Sequence, residues 1–223
     1  ENKAEFFSVK HRFDDLINKT TALDLSLEKW TLNMPLIKRR WKTLIDPQDD
    51  LLAFLKKRIT QRKNDIASGK HSLDGDGNDF VDAFFIKMEK DQREGRHPSE
   101  SYKEDELLYD VFDLWIAGQE TTTITILWGL MHLIKNPEFN PERYKEGGKA
   151  LEQRVIPFGI GKRSCIGETL ARAEIFLILA NLISRYEMFE DPEAPIDMES
   201  VTPIGMMHRP KNFNVILKQI LCF

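Results

Sequence analysis

Cysteine is nearly absent. The 223 residues hold two, Cys165 and Cys222, so there is no disulfide framework, and a reducing compartment fits best. No apolar run reaches the length of a membrane span, and no segment has the build of a signal peptide. An excess of positive charge is missing too. With 32 Lys and Arg against 36 Asp and Glu the net charge is −4 and the pI about 5.8. That balance does not suggest a general nucleic-acid or anionic-membrane role. Internal repeats are also lacking. What remains is 41% apolar and 30% charged, an ordinary globular composition with enough chain for one large domain or two small ones. The chain opens on Glu1 in an already helical-looking segment, which suggests residues upstream.

Residues 5–65 read as helices, with Phe6, Phe7, Phe13, Leu16 and Ile17 on one apolar face. Asp49-Asp50 opens a further helix with Leu51, Leu52, Phe54, Leu55 and Ile59 inward, and the basic run Lys56 to Lys63 reads as a solvated face. Residues 68–78 form a Gly- and Asp-rich loop. It fails as a calcium loop: counted from Asp74, Asp79 stands where glycine is needed and Phe85 where the bidentate glutamate is needed. A helix follows from Asp79 to Lys90. The longest helix runs from about Glu104 to Lys135, roughly 48 Å at 1.5 Å per residue. It is apolar on nearly every side, which predicts a path through the centre of the fold, and Pro137 stops it. Residues 136–157 read as irregular. A second buried helix spans about Ile166 to Tyr186, and the tail carries short β-like runs such as Asn214 to Leu217. The architecture is mainly α with a small C-terminal β portion.

The loop Phe158 to Gly167 (FGIGKRSCIG) sets a lone thiol among three glycines. As a phosphate loop it fails, because Arg163 replaces the magnesium-binding hydroxyl and Ile156 the first glycine. As a zinc site it lacks partners: no Cys or His follows within about forty residues. A buried structural thiol is one remaining reading. The other is an axial thiolate to heme iron, for which one protein ligand suffices. Gly159, Gly161 and Gly167 would let the backbone approach a flat cofactor. The following helix N-terminus would stabilise a thiolate. Arg163 would pair with a propionate, and Phe158 would keep water from the sulfur.

Ala117-Gly118-Gln119-Glu120-Thr121-Thr122 is odd inside the long helix. Gly118 costs up to about 1 kcal/mol relative to Ala, and Glu120 and Thr121 bring polarity into an apolar run. Either this is a packing notch with a threonine bonding back to its own helix, or it is a groove over a flat cofactor.

Phe158-x-x-Gly161-x-Arg163-x-Cys165-x-Gly167 resembles the heme-binding signature of the cytochrome P-450 monooxygenases. The stretch Ala117 to Thr122 resembles that family's oxygen-activation motif. Asn78 to Asp82, Phe139 to Tyr144 and Thr202 to Gly205 resemble further family segments in the expected order. The resemblance implies an incomplete P-450-type fold as a single partial domain over 1–223. Residues 1–138 would carry the helices through the central one, and 139–223 the ligand loop, the next helix and the β segment. It implies Cys165 as iron ligand. Ala117, Gly118, Phe158, Gly159, Gly161, Arg163 and Gly167 would line heme b. Thr121 would donate a hydrogen bond to dioxygen, and Glu120 would relay protons. The partners implied are a small apolar substrate, O2 and an NADPH-cytochrome reductase meeting Lys149, Arg154 and Lys162. The place implied is the cytosolic face of the endoplasmic reticulum membrane, without an anchor in this chain.

The sequence departs from the family in three ways. It lacks the N-terminal part, with its anchor and most of its sheet. The propionate-gripping Trp-x-x-x-Arg is missing: Met34, Ile45, Gln119 and His132 stand four after the tryptophans. No glutamate has an arginine three residues on, so Arg143 of the Pro-Glu-Arg segment loses its buried partners and must open to water or rearrange. An internal deletion is placed at Glu138/Phe139. These departures imply exposed apolar surface on the central helix and on Ile175–Ile183. They also imply an alternative: an inactive truncated relative without stable heme binding, acting through a partner or without function.

Overall fold

The structure is a computed structural model and describes residues 2–21, 24, 34–97, 102–202 and 207–220. The expectations for Trp30, for Pro203 to Gly205 and for Cys222 lie outside the described residues. Six helices and two strands follow in order: α1 (Asn2–Lys19), α2 (Pro35–Ala67), α3 (Phe80–Arg93), α4 (Glu104–Lys135), α5 (Glu142–Glu152), α6 (Glu168–Arg185), β1 (Tyr186–Glu190) and β2 (Val215–Gln219). The mainly helical expectation holds. The chain divides into two compact units, one within residues 1–117 and the other formed by 118–202 with 207–220. Among the described residues, no helix is long and apolar enough to cross a membrane.

The first unit is built on α1 and α2. Phe13, Leu16 and Ile17 of α1 are buried, as are Leu44, Leu51, Leu55 and Ile59 of α2. Phe7, expected on the inner face, is exposed. The Phe13 ring meets Phe112 and Trp115 of α4 edge-on, at 6.5 and 5.4 Å between centroids, a favoured aromatic arrangement. A second cluster joins Ile59, Phe84, Phe85 and Leu107, with Ile66, Leu73, Val81, Met88, Leu108 and Val111 packed against it. Burying each large side chain contributes roughly 1.5–3 kcal/mol.

Two readings of α2 are corrected. Asp49-Asp50 does not open a helix; one helix of 33 residues begins at Pro35 and runs through Pro47. Pro35 suits the first turn, where a missing N–H costs nothing. Just past Pro47 the Gln48 side-chain amide donates to the Leu44 carbonyl at 3.1 Å, next to the Thr43 carbonyl that the proline leaves without its helical donor. The run Lys56 to Lys63 is not merely a solvated face. Lys57 and Arg58 clasp Glu5 of α1, Arg62 binds Asp79 and Asp82 of α3, and Lys63 meets Glu104 of α4. The charges that looked idle join four helices.

Helix α3 starts at an Asp79 N-cap, whose carboxylate accepts from the Asp82 amide at 3.0 Å. Lys90 and Arg93 close its last turn. The bounds of α4 match the expectation, but its surroundings do not. Leu114 is exposed, and Trp115 and Ile116 are only half buried, so this stretch does not run through an enclosed centre. Within the first unit α1 covers it on one side.

The second unit holds the rest of α4, where Met131 is fully buried. The Leu179 side chain of α6 comes up to Gly129 of α4, where an added Cβ would lie 3.9 Å from it, in ordinary contact. Residues 142–152, read as irregular, form α5; the Asn140 side chain accepts from the Glu142 amide, and a kink at Gly148 bends it. Helix α6, read as buried, has no buried residue; Leu170, Phe176, Leu177 and Ile183 are exposed. Its apolar run lacks an enclosing layer, as the departures from the family imply. Strands β1 and β2 pair antiparallel, with Tyr186 opposite Gln219 and Glu190 opposite Val215. Lys135 at the end of α4 pairs with Glu190 at 3.1 Å, and Ile196 is buried beyond the strand.

Candidate functional site

The cysteine loop is shaped by its own backbone. The Cys165 amide donates to the Phe158 carbonyl at 2.8 Å, and the Ser164 amide to the Gly161 carbonyl at 3.1 Å. Closing so short a loop takes left-handed backbone at Gly159 (φ 74°) and Gly161 (φ 75°), a conformation side chains disfavour. These two glycines therefore serve the turn itself, in addition to any close approach they permit. Gly161 to Arg163 form one turn of 3-10 helix. Gly167 then caps α6, and the Ala171 amide bonds back to its carbonyl at 2.8 Å.

The Cys165 thiol is exposed, which removes the reading of a buried structural cysteine. It stands two residues ahead of the α6 cap, near amide groups that have no carbonyl partner within the helix. A Cβ at Gly167 would lie 3.9 Å from the sulfur, in ordinary contact, so glycine here keeps that side of the thiol clear. Lys162 and Arg163 are exposed on the loop. The Phe158 ring is half buried and carries the Arg172 guanidinium at 4.9 Å from its centroid. Glu168 holds Arg172 at 2.8 Å. Arg172 escaped the sequence reading; the signal was a Glu-Arg pair four apart in the first turn of the helix after the loop.

The second group of expected residues lies on α4. Ala117 and Gly118 are exposed, and nothing stands within 4 Å of where a Gly118 Cβ would be. The helix surface there is an open notch. Thr121 is exposed, and its carbonyl accepts the Thr125 hydroxyl at 2.8 Å, while Thr123 bonds back to the Gln119 carbonyl at 2.8 Å. The back-bonding expected of a helix threonine is thus carried by Thr123 and Thr125. Glu120 faces the other way, 1% exposed, with the Arg209 guanidinium 3.9 Å from its carboxylate. Arg209 was not anticipated either, and no local pattern marks it.

The donor set suits heme. One accessible thiol stands ahead of a helix N-terminus, one cation lies two residues from it, and open glycine surface is present on the loop and on α4. A single thiolate is the complete protein contribution a porphyrin iron needs on that side. Arg143, expected to lose its buried partners, is exposed and stacks over Phe139 and Tyr144 at 5.0 and 5.1 Å.

Comparison with known proteins shows the family. The family model described as Cytochrome P450 matches residues 2–138 and 138–217. The two stretches meet at the joint read from the sequence. The chain is 26% identical over 302 residues to a probable cytochrome P450, cyp-35D1, of Caenorhabditis elegans, covering 94% of this chain and 60% of that protein. It is 42% identical over 87 residues to cytochrome P450 1A2 of Oryctolagus cuniculus, covering 37% of this chain and 16% of that one. Among solved structures, a zebra fish cytochrome P450 with abiraterone superposes with a TM-score of 0.64 at 19% identity, over 82% of this chain and 62% of that one. The chain thus spans about 60% of the length of the nematode relative.

Proposed function

The chain belongs to the cytochrome P450 family, and from that premise we propose that it is a heme-thiolate monooxygenase acting on a small apolar organic substrate. One atom of O2 would enter a substrate C–H bond and the other would leave as water, with two electrons from NADPH arriving through a reductase and two protons consumed. The loop from Phe158 to Gly167 carries this reading: a backbone-fixed turn presents one exposed thiol ahead of a helix N-terminus. Heme b, when bound there, supplies the one-electron and O2 chemistry. Cys165 is its ligand. Arg163 gives a charge-assisted bond to a propionate. The notch at Ala117 and Gly118 admits the flat ring. Thr121 donates a hydrogen bond to dioxygen, and Glu120 hands protons toward it. Lys149, Arg154 and Lys162 are exposed and supply a cationic face for an acidic reductase patch. The endoplasmic reticulum membrane is the setting this implies.

A second reading, an inactive truncated relative, draws on Arg143. Its exposure, together with the missing Glu-x-x-Arg, means that the buried charge cluster behind the cofactor is not formed. One experiment separates the two. The purified chain is reconstituted with hemin, reduced and exposed to carbon monoxide, beside Cys165→Ala. A strongly red-shifted Soret band in the parent, lost in the variant, is the expected result. A band typical of non-thiolate ligation in both, or no heme uptake, favours the inactive relative.

A further inference from the structure

Glu120 is 1% exposed on α4, and a charged group from far along the chain faces it: Arg209, 3.9 Å away. Arg209 is fixed by its own backbone. Its amide donates to the Thr202 hydroxyl at 3.0 Å, and its carbonyl accepts the Val201 amide and the Ser200 hydroxyl, each at 2.9 Å. The Thr202 hydroxyl donates in turn to the Met207 carbonyl, and Ser200 pairs with Pro210 as a β-bridge. Two turns of helix beyond Glu120, the Trp128 indole donates to the His208 carbonyl at 2.7 Å. The segment 207–210 thus grips α4 at two points, and residues 200–202 brace it from behind. Of the side chains on that segment, the guanidinium is the one aimed at a buried carboxylate.

We infer that Arg209 is a positioning residue for Glu120: its charge favours the ionised form of the buried carboxylate, and residues 200–202 with 207–210 are the brace that holds it there. The functional meaning of this rests on Glu120 as the proton-relaying acid, but the pairing itself does not. A nearby opposite charge favours the ionised form of a carboxylate this deep. Displacement of the brace would therefore raise the pH at which Glu120 titrates.

The test needs no cofactor. Infrared spectra of the parent, Arg209→Gln and Arg209→Lys are followed against pH, and the protonated-carboxyl band of Glu120 is assigned by its loss in Glu120→Gln. The expected result is a Glu120 titration higher by about one pH unit or more in Arg209→Gln, restored by Arg209→Lys. If Arg209→Gln loses its helical circular dichroism, Thr202→Val is used instead; it removes the brace without removing a charge and is expected to shift the titration the same way by less. The same titration in every folded variant would overturn the inference. That outcome would leave the heme reading standing, and failure of thiolate ligation would leave the Glu120–Arg209 pairing standing.

Discussion

Asp82 offers the sharpest test of the packing in the first unit. Its side chain is fully buried at the start of α3. Arg62 Nη1 donates to it at 2.5 Å, and the Asn78 amide at 3.1 Å. His71 Nε2 lies 2.9 Å from the same carboxylate and 3.3 Å from Arg62 Nη1. Arginine only donates, so the shorter contact places the Nε2 proton on His71, pointing at Asp82. Burial pushes the Asp82 carboxyl up, but the hydrogen bonds from His71, Asn78 and Arg62 outweigh it and hold the pKa at about 2, below the ordinary 3.8.

The sign follows from linkage. A carboxyl with a depressed folded pKa contributes stability that is fully present above its unfolded pKa of 3.8 and is lost as pH falls toward about 2. The gap corresponds to at most roughly 2.4 kcal/mol. Arg62 is 29% exposed, so solvent screening reduces this to on the order of 1–2 kcal/mol. Asp82→Asn removes the charge and turns an amide donor toward Arg62 or His71, at a cost of about 2–3 kcal/mol near neutral pH. Urea unfolding followed by circular dichroism from pH 7 to pH 2 measures both. The parent should lose stability more steeply than Asp82→Asn between pH 4 and pH 2, so that the two curves converge. Parallel curves would refute the assignment of this acid sensitivity to Asp82.

Two further substitutions probe the same unit. Gly77→Ala would place a Cβ 2.7 Å from the Asp82 Cβ and 2.9 Å from the Ala83 amide nitrogen, at φ +88°; a loss of about 2–4 kcal/mol is expected, and its urea midpoint should fall below that of Gly75→Ala, where the added Cβ meets nothing within 4 Å. Leu107→Ala empties a site with no solvent exposure between α2 and α3; thermal unfolding should show a loss of about 2–5 kcal/mol.

How much was legible depended on how local the cause was. The bounds of α4 could be read because an apolar run ends at Pro137. The turn around Cys165 is made within itself, by left-handed glycines at 159 and 161, and its assignment to heme came from the resemblance rather than from spacing. The start of α2 differs from the expectation because two adjacent aspartates look like a helix N-terminus, while the helix in fact begins at Pro35 and continues through Pro47. The run Lys56 to Lys63 was misread because its partners, Glu5, Asp79, Asp82 and Glu104, come from three other helices. The contact from Trp128 to His208 joins residues 80 apart, and nothing near either residue announces it.

The same distinction bears on the two functional readings. Thiolate presentation depends on hydrogen bonds confined to residues 156–171 and on two glycines in left-handed backbone. No distant segment is needed to make that turn, so a joint at residue 138 leaves it intact. The acid on α4 depends on Arg209 and its brace, which lie after the joint and are also present. Arg143 depends on a glutamate and an arginine that the chain does not contain, and it lies in water against two aromatic rings. The parts proposed to hold the ligand and the acid thus need no residue beyond those present, while the partners of Arg143 are missing. The expected mark of that difference is a thiolate-type spectrum with weak heme retention.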